Sequence, residues 1–233
     1  MSRQAIGWEM VGSLETALRY RGCPICHLLD EDEYDFMCQI QGQTIKEEKI
    51  LRDLVESNGY CNFHFYEMAR LTSPRVNAAV ARALIEKEIQ EIEDGFSPGP
   101  ESIDCPVCNF IRNREEGYLR EFMDFLRDES IQEEYASSDG LCRLHLKAVL
   151  HLAGDNQLGQ FLLFTQVRQL KRLRLELQEL IAPSGSPVTP KGRRGNSWWV
   201  AIKKRVGKKG LKEYDPSRGG NPSLIWERRT DGH

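Results

Sequence analysis

The sequence has 233 residues, of which 40% are hydrophobic and 29% charged. Those fractions suit a globular chain with its own core and exclude fibrous and intrinsically disordered classes. The net charge of −3 hides an asymmetry: residues 1–182 carry 20 basic and 31 acidic side chains (−11), and residues 183–233 carry 12 and 4 (+8). No apolar run reaches the roughly 20 residues of a membrane-spanning helix, so no span is expected. No apolar leader follows Met1, so the expected location is cytoplasmic, where thiols stay reduced and paired cysteines read as metal ligands or redox groups.

Taken in chain order, Trp8, Val11, Leu14 and Leu18 form the apolar face of a first helix. It leads to Cys23-Pro24-Ile25-Cys26. The next 34 residues contain no proline and read as helix. One straight helix of that length would run about 50 Å. The spacing therefore predicts two antiparallel helices, broken at Gln41-Gly42-Gln43, where glycine weakens a helix interior. The return helix should end at Asn58-Gly59, because glycine takes the left-handed turn past a helix end. Cys61-Asn62-Phe63-His64 follows at once. Further helical spacing runs through Phe65, Met68 and Ala69, and after Ser73-Pro74 through Val76, Val80, Ala83 and Leu84. The run Gly95-Phe96-Ser97-Pro98-Gly99-Pro100 reads as a loop.

The pattern then repeats. Cys105-Pro106-Val107-Cys108 is 82 residues beyond the first such tetrad, and Cys142-Arg143-Leu144-His145 is 81 beyond its counterpart. Gly59-Tyr60-Cys61 answers Gly140-Leu141-Cys142. The second break is expected near Arg127-Asp128-Glu129-Ser130, where Asp and Ser favour caps. A long helix from Leu158 to Ile181 closes this copy. Such self-similarity means that one structural unit was built twice. The fold class is all-α: residues 1–182 form a helical body with repeats at 23–94 and 105–181, each organised around its own metal site.

Three thiols and an imidazole form a standard closed set for structural zinc. The candidate ligands are Cys23, Cys26, Cys61 and His64 for one ion, and Cys105, Cys108, Cys142 and His145 for a second. A closed set leaves no position for water, which argues against chemistry at the metal. An iron–sulfur cluster is the alternative cofactor. A thiol–disulfide pair is the alternative use of each Cys-x-x-Cys, but it would not require the accompanying Cys-x-x-His. Cys38 has no counterpart in the second copy and reads as a buried or half-buried thiol.

The doubled Cys-Pro-x-Cys and Gly-x-Cys-x-x-His motifs, carried by Cys23, Pro24, Cys26, Gly59, Cys61, His64, Cys105, Pro106, Cys108, Gly140, Cys142 and His145, are joined by Ser197-Trp198 near the end. Together they resemble a prokaryotic family catalogued as domain of unknown function 6062. The resemblance extends over almost the whole chain. It implies no reaction or substrate.

Residues 183–233 begin as a Pro-, Ser- and Gly-rich linker and continue into a basic, Trp-containing tail. Ser197 to Val206 reads as a short amphipathic helix with Trp199, Ile202 and Val206 on one side. Trp198, Trp199, Lys203, Lys204, Arg205, Lys208 and Lys209 are the candidates for binding nucleic acid or a partner. The bland alternative is that the helix docks on the acidic body. No nucleophile, carboxylate pair or phosphate loop is visible, so no enzyme and no small-molecule substrate are expected. The leading expectation is a zinc-stabilised interaction module with a protein partner. A nucleic-acid-binding protein and a thiol redox protein are the alternatives.

Overall fold

A computed structural model of the chain describes residues 13–44, 46–95, 104–153, 157–181 and 196–207. Trp8, Val11, most of the loop at 95–100, the linker and Lys208 and Lys209 lie outside the described residues. Every regular element described is a helix, as the periodicity predicts. None of these helices is long and apolar enough to cross a membrane. The chain divides into two compact units, Asp32–Glu116 and the remainder, and this division does not follow the repeats. The long helices α2 (Pro24–Thr44) and α6 (Pro106–Phe125) each begin in one unit and end in the other.

The unit Asp32–Glu116, the inner one in chain order, contains most of α2, α3 (Glu48–Glu56), α4 (Asn62–Leu71), α5 (Pro74–Glu93) and the start of α6. There α2 and α6 run antiparallel. Phe36 stacks on Phe110 with ring centres 4.1 Å apart, and Arg114 Nε donates to Asp32 Oδ2 at 2.6 Å. Met37, Leu54, Tyr60, Met68 and Val107 are among the buried apolar side chains of this unit.

The other unit contains α1 (Leu14–Leu18), the ends of α2 and α6 just named, α7 (Glu129–Ser137), α8 (Arg143–Ala153), α9 (Gln157–Ile181) and α10 (Ser197–Val206). Its core is Leu14, Ile25, Leu29, Phe122, Leu126, Tyr135, Leu141, Val149 and Leu162. Two buried glutamines of α9 serve the loop after α7. Gln166 Nε2 donates to the Leu141 carbonyl and Gln169 Nε2 to that of Tyr135, so the chain leaving α7 is not left unpaired.

The breaks fall close to expectation, with one consequential shift. Asp128 caps α7, accepting from the Ser130 N–H at 2.8 Å. In the first repeat the helix runs through Gly42 to Thr44, because Gly42 costs only about 1 kcal/mol there. Gly59 and Gly140 both take positive φ, +80° and +73°, and turn the chain directly into the next cysteine. A Cβ at Gly140 would stand 1.9 Å from Gln169 Oε1. Gln169 could retreat only by giving up its bond to Tyr135. Gly140→Ala should therefore lower stability by about 2–4 kcal/mol, from backbone strain plus a lost hydrogen bond. Gly59→Ala should cost less, since its nearest neighbour is a Leu84 methyl at 3.1 Å. Thermal denaturation of the two variants side by side checks the order.

Candidate metal centres

All four ligand pairs are built the same way. The first ligand sits at the N-cap of a helix and the second one turn in. The His27 N–H donates to the Cys23 carbonyl, Phe65 to Cys61, Asn109 to Cys105 and Leu146 to Cys142, at 2.8–3.0 Å. A spacing of three residues puts both side chains on one face of the first turn. Pro24 and Pro106 occupy first helical positions, where proline costs no hydrogen bond. Ile25 and Val107 are fully buried and pin the two Cys-Pro-x-Cys turns to the core. Thiolates at helix N-termini meet free N–H groups and the positive end of the helix dipole.

The eight residues gather into two clusters, but the pairing is exchanged between repeats. Cys23 and Cys26 meet Cys142 and His145, and Cys61 and His64 meet Cys105 and Cys108. The expectation that each repeat closes its own site is thus corrected. The reason is the length of the arms. Helix α2 has 21 residues and α3 only nine, so the chain goes out about 31 Å and returns about 14 Å. The second repeat has the same imbalance, with 20 residues in α6 and nine in α7. Neither Cys-x-x-His gets back to the start of its own repeat. Each cluster instead lies wholly within one compact unit.

In each cluster the ligand atoms lie within 4.8 Å of one another. Cys26 Sγ is 3.7 Å from Cys142 Sγ, and Cys61 Sγ is 3.7 Å from Cys108 Sγ. A tetrahedron with metal–sulfur bonds of about 2.3 Å has sulfur–sulfur edges of about 3.8 Å. The sulfurs lie 3.2–3.4 Å from the Nδ1 atoms of His145 and His64. The corresponding tetrahedral edge is about 3.6 Å. The donor sets thus fit one tetrahedral ion apiece, bound through Nδ1.

The electrostatics of the sets point the same way. Burial raises the Cys105 thiol, but His64 and the N–H groups of Cys108 and Cys61 outweigh it and bring it down to about 6. Burial and then the Cys105 charge push Cys108 up to about 12. In the other set burial also opposes ionisation of Cys23, yet Cys142, Cys26 and His145 hold it well below the usual thiol range. Cys26 is driven up, first by its contacts with Cys142 and Cys23 and then by burial. Each set therefore favours one thiolate and resists the next. A divalent cation at the centre removes that conflict, because it lets all three thiolates form.

Several residues around the sets were not singled out from sequence. Glu33 is buried, and its carboxylate accepts from His64 Nε2 at 2.8 Å. That bond fixes the tautomer leaving Nδ1 open to a metal. Burial lowers the His64 pKa, but Cys105 and Glu33 outweigh it and raise it to about 10, so a metal must displace a proton there. Glu33→Ala should weaken binding at this set about 10- to 100-fold and leave the other unchanged. Chelator competition on the two sites separately would check this. Beside the other set, the Asp139 carboxylate accepts from Gly22 N–H at 2.9 Å and Arg21 Nε at 2.6 Å, tying the two ligand loops together. The corresponding tie in the inner unit is the Asp104 N–H to the Ser57 carbonyl, 3.2 Å. Asp139 precedes a glycine and reads as a turn residue. Glu33 lies in a run of four acids, and only its helical phase distinguishes it.

Helix α10 packs on α8 and α9 through Ser197, Val200 and Lys204. Ser197 Oγ donates to Glu176, which also pairs with Arg21 at 2.9 Å. Lys204 is 6% exposed, and its ammonium donates to the Asp139 carbonyl at 2.5 Å. Burial lowers its pKa to about 8 against the pull of Cys23 and Asp139. The structure thus turns Lys204 inward beside the thiolates and away from any external phosphate. Lys203 lies 5.8 Å from the Trp199 ring centre, Trp199 is half-buried, and Arg205 and Trp198 are exposed. Cys38 is half-buried and belongs to neither cluster.

Residues 14–104 match the model of a family described as a family of unknown function (DUF6062). The sequence resemblance is borne out over that stretch, which ends one residue before Cys105 and so contains two ligands of each cluster. No curated protein and no solved structure matches the chain.

Proposed function

We propose that this chain is a non-catalytic helical interaction module whose fold is held by two structural zinc ions. The observation that carries the reading is the pair of closed donor sets: three sulfurs and one nitrogen, each at tetrahedral distances around one point. Four protein ligands leave a zinc ion no open position for a reacting water. The metal would supply a cross-link between segments distant in sequence and no chemistry. An iron–sulfur cluster fits less well, because its ligands bind different irons and must stand further apart than single-ion ligands. Redox use of a Cys-x-x-Cys pair fits less well too, since in each set both thiols contact the histidine.

Elemental analysis of protein purified from cells tests the reading. Two zinc per chain and a colourless sample are expected. Iron with visible absorbance, or no metal in a folded chain, would overturn it. The nucleic-acid alternative loses Lys204, and its described cations on α10 reduce to Lys203 and Arg205. A gel shift at low salt checks that reading. No retardation of DNA or RNA is expected, and retardation that weakens with salt would restore it.

A further inference from the structure

We infer that a second copy of this chain is the partner, and that α9 of one copy docks on α5 of the other. Both helices carry an exposed apolar seam at heptad spacing. On α5 it is Ile85, Ile89 and Ile92, at 53, 50 and 56% exposed. On α9 it is Leu163, Val167 and Leu170, at 50, 50 and 46%, with Phe164 beside them. Steps of four and then three residues place each set along one side of a helix, the pattern of a helix–helix seam. Isolated exposed apolar residues are ordinary, but three in register on each of two helices form a face.

The charges around the two seams are opposite. From Ile85 to Glu93, helix α5 carries Glu86, Glu88, Glu91 and Glu93 against Lys87 alone, a net of −3. In the heptad set by the isoleucines, Glu86, Glu88 and Glu93 fall at the positions flanking the seam, where inter-helix charges decide partner and register. From Leu163 to Arg174, helix α9 carries Arg168, Lys171, Arg172 and Arg174 and no acid, a net of +4. The glutamates are exposed, and so are Arg168, Lys171 and Arg174. Pairing α5 with α5, or α9 with α9, would set like charges together beside the apolar contact, and that juxtaposition is destabilising. Pairing α5 with α9 buries both seams and matches −3 with +4. Both faces are exposed, and a second copy of the chain offers each its complement. The contact is heterologous, joining unlike surfaces, and generates a ring or an open string.

This inference rests on the interaction-module reading and names its partner. Sedimentation of the metal-loaded full chain tests it at about 1 to 100 µM, where a micromolar contact becomes populated. Mass above the monomer is expected, falling as salt rises. The variants Arg168→Glu/Lys171→Glu/Arg174→Glu and Glu86→Lys/Glu88→Lys/Glu93→Lys should each be monomeric while keeping two metal ions. Mixed one to one, they should associate again in strict alternation, because native α5 with native α9 and reversed α5 with reversed α9 are both complementary, whereas each variant alone sets like charges together. If a triple variant loses its metal, the single changes Val167→Glu and Ile89→Lys serve in the same scheme. A wild-type monomer with two metals at the highest concentration would overturn the self-pairing and leave the metal reading intact. So would charge variants that associate like wild type, or a mixture that stays monomeric.

Discussion

Replacing Cys26 and Cys142 by serine together is expected to leave a chain with one tightly held metal ion. Replacing Cys26 and Cys61 together is expected to leave none. Both variants lose two ligands, so the difference reports only which ligands share an ion. The first pair comes from a single cluster, with its sulfurs 3.7 Å apart. The second takes one ligand from each cluster. Elemental analysis after dialysis against a mild chelator gives the count directly. The reverse outcome would mean that each repeat closes its own site and that the exchanged pairing is wrong.

The second large effect is on folding. Structural zinc in small domains contributes an apparent 10–16 kcal/mol or so of binding energy near neutral pH, much of it as folding energy. Whole domains have net stabilities of only about 5–15 kcal/mol. Stripping both ions should therefore abolish the cooperative thermal transition. Acid acts with the same sign, since all ligands must be deprotonated to bind and affinity falls as pH falls. Loss should come in two phases. Cys61 and Cys108 are half-buried, whereas all four members of the other set are buried. The inner site should release first, and Cys61→Ser should remove the fast phase. A single phase in the wild-type chain would contradict this order.

Much of this architecture was legible in the sequence because its signals are local. The ligand pairs, the helix starts at Pro24 and Pro106 and the glycine turns before Cys61 and Cys142 depend on neighbours a few residues away. The exchange of partners is not local, yet one clue was present. The break expected near Asp128 leaves 19 residues between Cys108 and the break and 13 between it and Cys142, and arms so unequal do not close. The first repeat conceals the same imbalance, because Gly42 lies near the middle of its 34 residues, where the spacing predicts a break. In the structure the helix continues through it to Thr44. Glu33 and Lys204 were not legible, because what marks them is the company they keep after folding. Helix α10 was foreseen, but its inward face was not. Ser197, Val200 and Lys204 are buried, whereas Ile202 and Val206 of the expected apolar side are exposed.

The exchanged ligands also set an order of assembly. Written along the chain, one site spans residues 61–108 and the other 23–145, so one bracket closes inside the other. The inner bracket has all its ligands once residue 108 is made. The outer one waits for residue 145, about 2–7 seconds later at usual rates of synthesis. Closing the inner loop also shortens the outer one. Between Cys26 and Cys142 lie 116 steps of chain, and a clasp from Cys61 to Cys108 bypasses 47 of them. On loop-closure entropy alone that favours the second closure by about 0.5 kcal/mol. The reverse order gains nothing during synthesis, because the ligands that complete the outer bracket are the last to appear. A chain cut between residues 108 and 142 is thus expected to hold one ion, in the inner bracket, while Cys23 and Cys26 have no partners to close upon.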